Sequence, residues 1–171
     1  MPHIIIDGYN YINRVRSSGI HDSPYLDVPR RSLLNKLAAY KKIKGAKITV
    51  VFDAYRSFWH ERQRENYKGI DVVYTKEGET ADDLIIGWIR EGREGIIVVS
   101  SDREIIDEAK SHGVAFLTPV RMEEMITGSI LYSHTSKEDD EDEDIRSSKR
   151  KGNPKKLPKR LRKATKDIKK I

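Results

Sequence analysis

Short apolar stretches recur through the first 130 residues, with polar or small residues between them. Four are rich in Ile and Val and read as strands, at 3–6, 48–52, 70–74 and 95–100, with a weaker fifth at 114–117. None alternates apolar with polar. Strands covered on both faces have that pattern, as in a parallel sheet between helix layers. Helical periodicity fills the gaps. One helix is expected to begin at Tyr9. Asp27-Val28-Pro29 precedes a second, with a stripe of Leu33, Leu34, Leu37, Ala38 and Ile43. Thr80, with an acid three residues on, is expected to cap a third that buries Leu84, Ile85, Trp88 and Ile89. Ser101 or Asp102 would cap a fourth carrying Ile105, Ile106 and Ala109, and Gly113 stands where it should stop. Pro119 precedes a last short helix with Met122, Met125 and Ile126. This alternation predicts a three-layer α/β/α sandwich around a mostly parallel sheet.

Composition narrows the picture. A chain of 171 residues suits one domain with a proper core. It contains no cysteine, which excludes a disulfide framework and thiolate metal sites and fits a cytoplasmic protein. The N-terminal apolar run is short and ends in an acid, unlike a signal peptide, and no stretch approaches the roughly 18 apolar residues of a membrane span. The net charge of +6 is unevenly spread: residues 131–171 hold 14 Lys/Arg against 8 Asp/Glu, while residues 1–130 hold 19 of each. An unbroken acidic run fills 138–144, and 146–171 holds 13 basic residues against one acid. Neither block can bury enough apolar surface to offset its chain entropy. Residues 1–131 are therefore read as the folded domain and 132–171 as a disordered, charged tail.

On such a fold the acids converge. Asp7 follows the first strand, Asp53 the second and Asp102 the fourth, while Asp82 and Asp83 open the helix after the third. All parallel strands end at one edge, where ligands of α/β proteins bind. Carboxylates gathered there repel by about 4 kcal/mol per close pair at an effective dielectric near 20. A bound cation or a proton must relieve that cost. Oxygen-only donors suit Mg²⁺ or Mn²⁺, whose natural task is phosphodiester hydrolysis. The five histidines show no ligand spacing, so zinc is not expected. Glu77 and Glu79 read as solvated loop acids.

Two stretches could hold RNA. Residues 55–64 interleave aromatics with Arg beside Asp53, and Lys68 follows; Arg56, Trp59, Arg62, Arg64 and Lys68 are the candidates. Phe58 and Trp59 equally suit the core of a short helix. The basic block offers Lys149, Arg150, Lys151, Lys155, Lys156, Lys159 and Arg160, a polycation that would bind polyanions by counterion release. The acidic run could fold back on it when RNA is absent.

The segments Asp7-Gly8-Tyr9-Asn10, Val50-Val51-Phe52-Asp53-Ala54 and Thr75-Lys76-Glu77-Gly78-Glu79-Thr80-Ala81-Asp82, followed by Ser100-Ser101-Asp102, occur in that order. Together they resemble the YacP-like branch of the NYN domains, within the PIN-like nuclease superfamily, over about residues 3–130. The resemblance implies Mg²⁺- or Mn²⁺-dependent endoribonuclease activity in RNA decay, with the ribosome as a partner. It implies Asp7, Asp82 and Asp102 as metal-binding and catalytic acids, with Asp53 and Asn10 in support. Related sequences carry a further acid one turn beyond Asp82; here Leu84-Ile85-Ile86 follows, leaving Asp83 as the substitute. The family's C-terminal helical extension reads as replaced by the charged tail. The competing reading is an RNA- or ribosome-binding module of the same fold with weak or no catalysis. Phosphate-binding Gly-rich loops, a Gly-x-Ser-x-Gly element and an Asp-x-Asp phosphatase motif are missing, and receiver-domain acids do not match.

Overall fold

A computed structural model of the chain describes residues 1–15, 27–54 and 59–138. Six strands form one sheet: β1 (His3–Asp7), β2 (Lys47–Phe52), β3 (Gln63–Tyr67), β4 (Ile70–Tyr74), β5 (Ile96–Val99) and β6 (Ala115–Leu117). Their order is β3-β4-β2-β1-β5-β6, parallel throughout except for β3, which runs antiparallel to β4. Five helices accompany them: α1 (Gly8–Val15), α2 (Asp27–Lys44), α3 (Ala81–Arg90), α4 (Arg103–Ser111) and α5 (Pro119–Glu138). The predicted three-layer α/β/α sandwich is the observed one.

The unbroken apolar strands follow from this layering. Ile4 and Ile6 of β1 join one core with Leu33, Leu34 and Leu37 of α2 and Met122 and Ile126 of α5. Ile5 joins the opposite core with Leu84, Ile85, Trp88 and Ile89 of α3 and Ile105 and Ala109 of α4. Because successive strand side chains point to opposite faces, a strand between two helix layers must be apolar at every position. Thr80 caps α3 in a reciprocal box with Asp83, and Asp102 caps α4 through the N–H of Glu104. Gly113 takes the left-handed conformation just past α4, as expected for a helix stop.

Three expectations are corrected. β3 was not foreseen: its Gln63-Arg64-Glu65-Asn66-Tyr67 sequence is exposed and polar, as suits a charged edge strand. A two-residue turn, Lys68 (φ 50°) and Gly69 (φ 85°), links it to β4. The last helix is not short; α5 runs 20 residues, to Glu138. Ile43, placed on the buried stripe of α2, is 40% exposed.

The chain divides into two units, Met1–Ile130 and Leu131–Ile171. Among the described residues, no helix is long and apolar enough to cross a membrane.

The chain leaves β1 toward β2 through α1 and α2 on one face. It leaves β5 toward β6 through α4 on the other. β1 and β5 are neighbours, so their carboxyl ends flank the point where the winding reverses, the place where open α/β sheets form a crevice.

Candidate functional site

Asp7 ends β1 at that crevice and is only 5% exposed. Its Oδ1 accepts the backbone N–H of Asn10 at 3.1 Å, closing the first turn of α1. The Ser100 hydroxyl, after β5, lies 3.5 Å from its Oδ2. Gly8 is required for so tight an entry into the helix: a Cβ there would stand 2.3 Å from Cε1 of Phe52. Asp82, in the first turn of α3, lies near enough for its charge to raise the Asp7 carboxyl. The predicted convergence is thus realised most fully by this pair.

The surrounding polar residues knit the crevice together. Asp53 Oδ1 accepts the N–H of Ala81 at 2.6 Å, fixing the start of α3. Asn10 Oδ1 accepts both the N–H and the hydroxyl of Ser101 at 2.9 Å, tying α1 to the loop after β5. Asp102 Oδ1 accepts the N–H of Glu104 at 2.8 Å. Arg14 donates from Nε to the Ser101 hydroxyl at 2.9 Å.

Burial pushes the Asp7 carboxyl up to about 7; the Asn10 N–H opposes this, and the charges of Asp82 and Asp53 add to it. Asp82 is also raised, first by burial, then by the charges of Asp102 and Asp53; Asp7 opposes the rise, and Glu104 adds to it. A proton on Asp7 therefore relieves repulsion near neutral pH. Glu104 was missed as a member of this acidic field; its place two residues after Asp102 was the available signal.

Among the described residues, no three Asp, Glu, His or Cys side chains form a ready cage for a metal ion. The buried Asp7 and the half-buried Asp82 nevertheless fit a hard divalent cation. Mg²⁺ is commonly held by one or two carboxylates, with water and substrate phosphate completing its shell. Asp83, expected as a substitute ligand, is turned elsewhere. Its Oδ2 accepts the N–H and hydroxyl of Thr80 at 3.0 and 2.8 Å, completing the helix cap.

The predicted RNA-gripping residues do not form one patch. Arg62 is engaged by Glu79, Nε to Oε2 at 2.8 Å and Nη2 to Oε1 at 2.5 Å. Arg64 lines a polar groove of about 350 Å³ with His3, Lys47, Asp71 and Arg93, on the α3 side of the sheet. Lys68 sits at the turn before β4, the opposite edge from the acids, roughly 17 Å away at about 3.3 Å per strand residue. There its Nζ donates to Asn35 at 2.7 Å. Trp59 is 40% exposed and meets the Tyr74 ring edge-on at 5.9 Å, so it is not core. Arg56 and the tail residues Lys149, Arg150, Lys151, Lys155, Lys156, Lys159 and Arg160 lie outside the described residues. Sequence reasoning overlooked Arg30, which packs against Tyr9, Phe52 and Tyr74 at the same rim.

A doubly wound sheet with acids at the reversal of winding defines an α/β/α domain of the PIN-like, NYN type. The chain belongs to the YacP-like NYN domain family, whose model matches residues 4–170. That match reaches into the charged C-terminal stretch, which sequence reading had left outside the resemblance. The uncharacterized protein YacP of Bacillus subtilis (strain 168) is 33% identical over 85 residues, covering 50% of this chain and 49% of that protein. The chain thus spans about half the length of the curated relative it matches. A crystal structure of a tryptophan-to-leucine mutant of Rae1 (YacP) from Bacillus subtilis superposes with a TM-score of 0.69 at 22% identity, covering 85% of this chain and 87% of that one. A second Rae1 (YacP) crystal structure gives a TM-score of 0.63 at 24% identity, covering 82% and 83%. These likenesses are of fold.

Proposed function

We propose that this chain is an endoribonuclease dependent on Mg²⁺ or Mn²⁺, acting in the cytoplasm on messenger or ribosomal RNA, with the ribosome as a partner. The observation that carries the reading is the buried Asp7 carboxyl beside the half-buried Asp82 at the carboxyl edge, with no cation among the hydrogen-bond partners of Asp7 in the described residues. Asp7 and Asp82 would hold the ion, with Asp102 beside them. When bound, it would supply Lewis acidity toward a phosphodiester and a water acidic enough to attack at neutral pH. Asp102 keeps one carboxylate oxygen beyond the one that caps α4, able to orient a water or accept its proton. Asn10 and Asp53 act through others: they fix the loop after β5 and the start of α3, and so set the spacing of the carboxyls. Residues 1–131 form the nuclease domain in this reading, and the basic block within 132–171 adds affinity for RNA without sequence preference.

The test is turnover of single-stranded and structured RNA, with matched DNA, in Mg²⁺ or Mn²⁺. Asp7→Asn and Asp82→Asn should each lower kcat at least about 100-fold, or about 2.7 kcal/mol of transition-state stabilisation. Equal slow turnover by wild type and both variants would favour the catalytically weak RNA-binding module instead.

A further inference from the structure

Among the described residues, Arg30 carries a charge that is loosely matched. Its side chain is 19% exposed. The guanidinium carbon lies 5.2 Å from the ring centre of Tyr9, 5.5 Å from Phe52 and 5.8 Å from Tyr74. Nη2 donates to the Tyr9 hydroxyl. Nε is buried with no hydrogen-bond partner among the described residues. The carboxylate facing Nη1 is Asp27, at 3.4 Å and itself 83% exposed. Three ring faces offset part of the cost of drawing a cation out of water. They do not replace a close anion.

The position of this cluster is informative. Tyr9 lies two residues beyond Asp7, Phe52 immediately precedes Asp53, and Tyr74 immediately precedes Thr75, whose hydroxyl accepts the N–H of Ala54. Phe52 and Tyr74 belong to the α2 face of the sheet, while Asp7 and Asp82 sit on the α3 side. Gly8, next to Asp7, packs against the Phe52 ring. Trp59 extends the aromatic surface outward from Tyr74 and remains 40% exposed.

We propose that Arg30 and Trp59 form a nucleotide subsite, in which Trp59 stacks on a base and Arg30 pairs through Nη1 with a backbone phosphate of an RNA strand laid across the rim. This inference rests on the reading of the acidic edge as an RNA-cleaving site, and supplies the contact that would hold the strand beside it. The incoming phosphate replaces the loose Asp27 contact and gives Arg30 a closer anion. A planar guanidinium seated on rings suits this task better than an ammonium. Stacking on Trp59 is tolerant of base identity, so the subsite favours unpaired strands over any one sequence.

The experiment is anisotropy of a short fluorescein-labelled single-stranded RNA in EDTA, so that binding is read without cleavage. Arg30→Met should lower affinity about tenfold and flatten the slope of log K against log salt by about 0.7, the loss of one phosphate contact. Arg30→Lys should retain the slope yet still bind several-fold more weakly. Trp59→Leu, at an exposed position, should also lose about tenfold. RNA should quench tryptophan emission in wild type and not in Trp59→Leu, since the other tryptophan, Trp88, is 3% exposed. Wild-type affinity and slope in folded Arg30→Met, or an absence of quenching, would overturn the subsite. If Arg30→Met does not fold, the Lys and Trp59 variants still decide. Loss of cleavage in Asp7→Asn with unaltered binding in all three subsite variants removes this inference alone. Weakened binding in them, with cleavage unaffected in Asp7→Asn, removes the assignment of cleavage to the acidic edge and leaves the subsite.

Discussion

Replacing Asp7 by Asn should stabilise the metal-free protein, by an amount that depends on pH in a defined direction. Burial and the neighbouring acids lift the Asp7 carboxyl from 3.8 to about 7. Below about pH 4 it is protonated in both the folded and unfolded chain and contributes nothing. Between about 4 and 7 the folded chain keeps a proton that the unfolded chain has released, so stability falls as pH rises. Above 7 both forms are ionised and the whole penalty is present. At about 1.36 kcal/mol per tenfold, that penalty reaches about 4 kcal/mol, an upper figure because the nearby Asp82 titrates with it. Asn cannot ionise, yet its Oδ1 still accepts the Asn10 N–H, so the first turn of α1 survives. Urea unfolding followed by circular dichroism in EDTA, from pH 4 to 8.5, measures the effect. Asp7→Asn should gain about 2–4 kcal/mol over wild type at pH 8, shrinking toward zero near pH 4. A difference that stays flat across this range would refute the reasoning, because the carboxyl would then titrate normally and would not be buried beside Asp82.

Three further outcomes follow from the same geometry. Mn²⁺ or Mg²⁺ at about a hundredfold above its Kd should raise wild-type unfolding free energy at pH 8 by about 2.7 kcal/mol; Asp82→Asn should abolish the gain in the same titration. Gly8→Ala should cost about 1–3 kcal/mol in urea unfolding, since its methyl would meet Phe52 at 2.3 Å. Asp53→Ala should cost about 1–2 kcal/mol by freeing the Ala81 N–H at the start of α3, and should lower kcat with little change in RNA affinity.

Four of the parallel strands were legible because burial between two helix layers demands apolar residues, and Ile4-Ile5-Ile6 or Ile96-Ile97-Val98-Val99 can serve little else; the short β6 is largely exposed and gave a weaker signal. β3 was not, because an edge strand pairs with one neighbour and leaves Gln63, Arg64, Glu65 and Asn66 exposed. The missed hairpin also misplaced Lys68. It stands four residues after Arg64 in sequence, yet the strand carries it to the far edge of the sheet. Asp83 was misread for a similar reason. Adjacent helical residues are about 100° apart, so when Asp82 faces Asp7 its neighbour cannot, and the third helical position is the one that caps Thr80. Arg30 left no trace in the sequence, since its meaning comes from rings on three different segments.

The acids at the rim divide into those that hold backbone and those that repel each other. Asp53 and Asp83 spend an oxygen on the N–H groups opening α3, and Asp102 does the same for α4. A negative charge there is favourable, because a helix start carries partial positive charge. Asp7 also accepts an N–H, but it is buried with the charges of Asp82 and Asp53 nearby, where ionising it is unfavourable. Capping alone would never select that arrangement, since an Asn or Ser could close the first turn of α1 without the repulsion. The fold supports the pair with braces from β2, α1 and the loop after β5, so the strain is held in place instead of being relaxed by a small movement of α3. In the proposed function this cost has a use: it would be carried by the metal-free protein and recovered when a divalent cation binds.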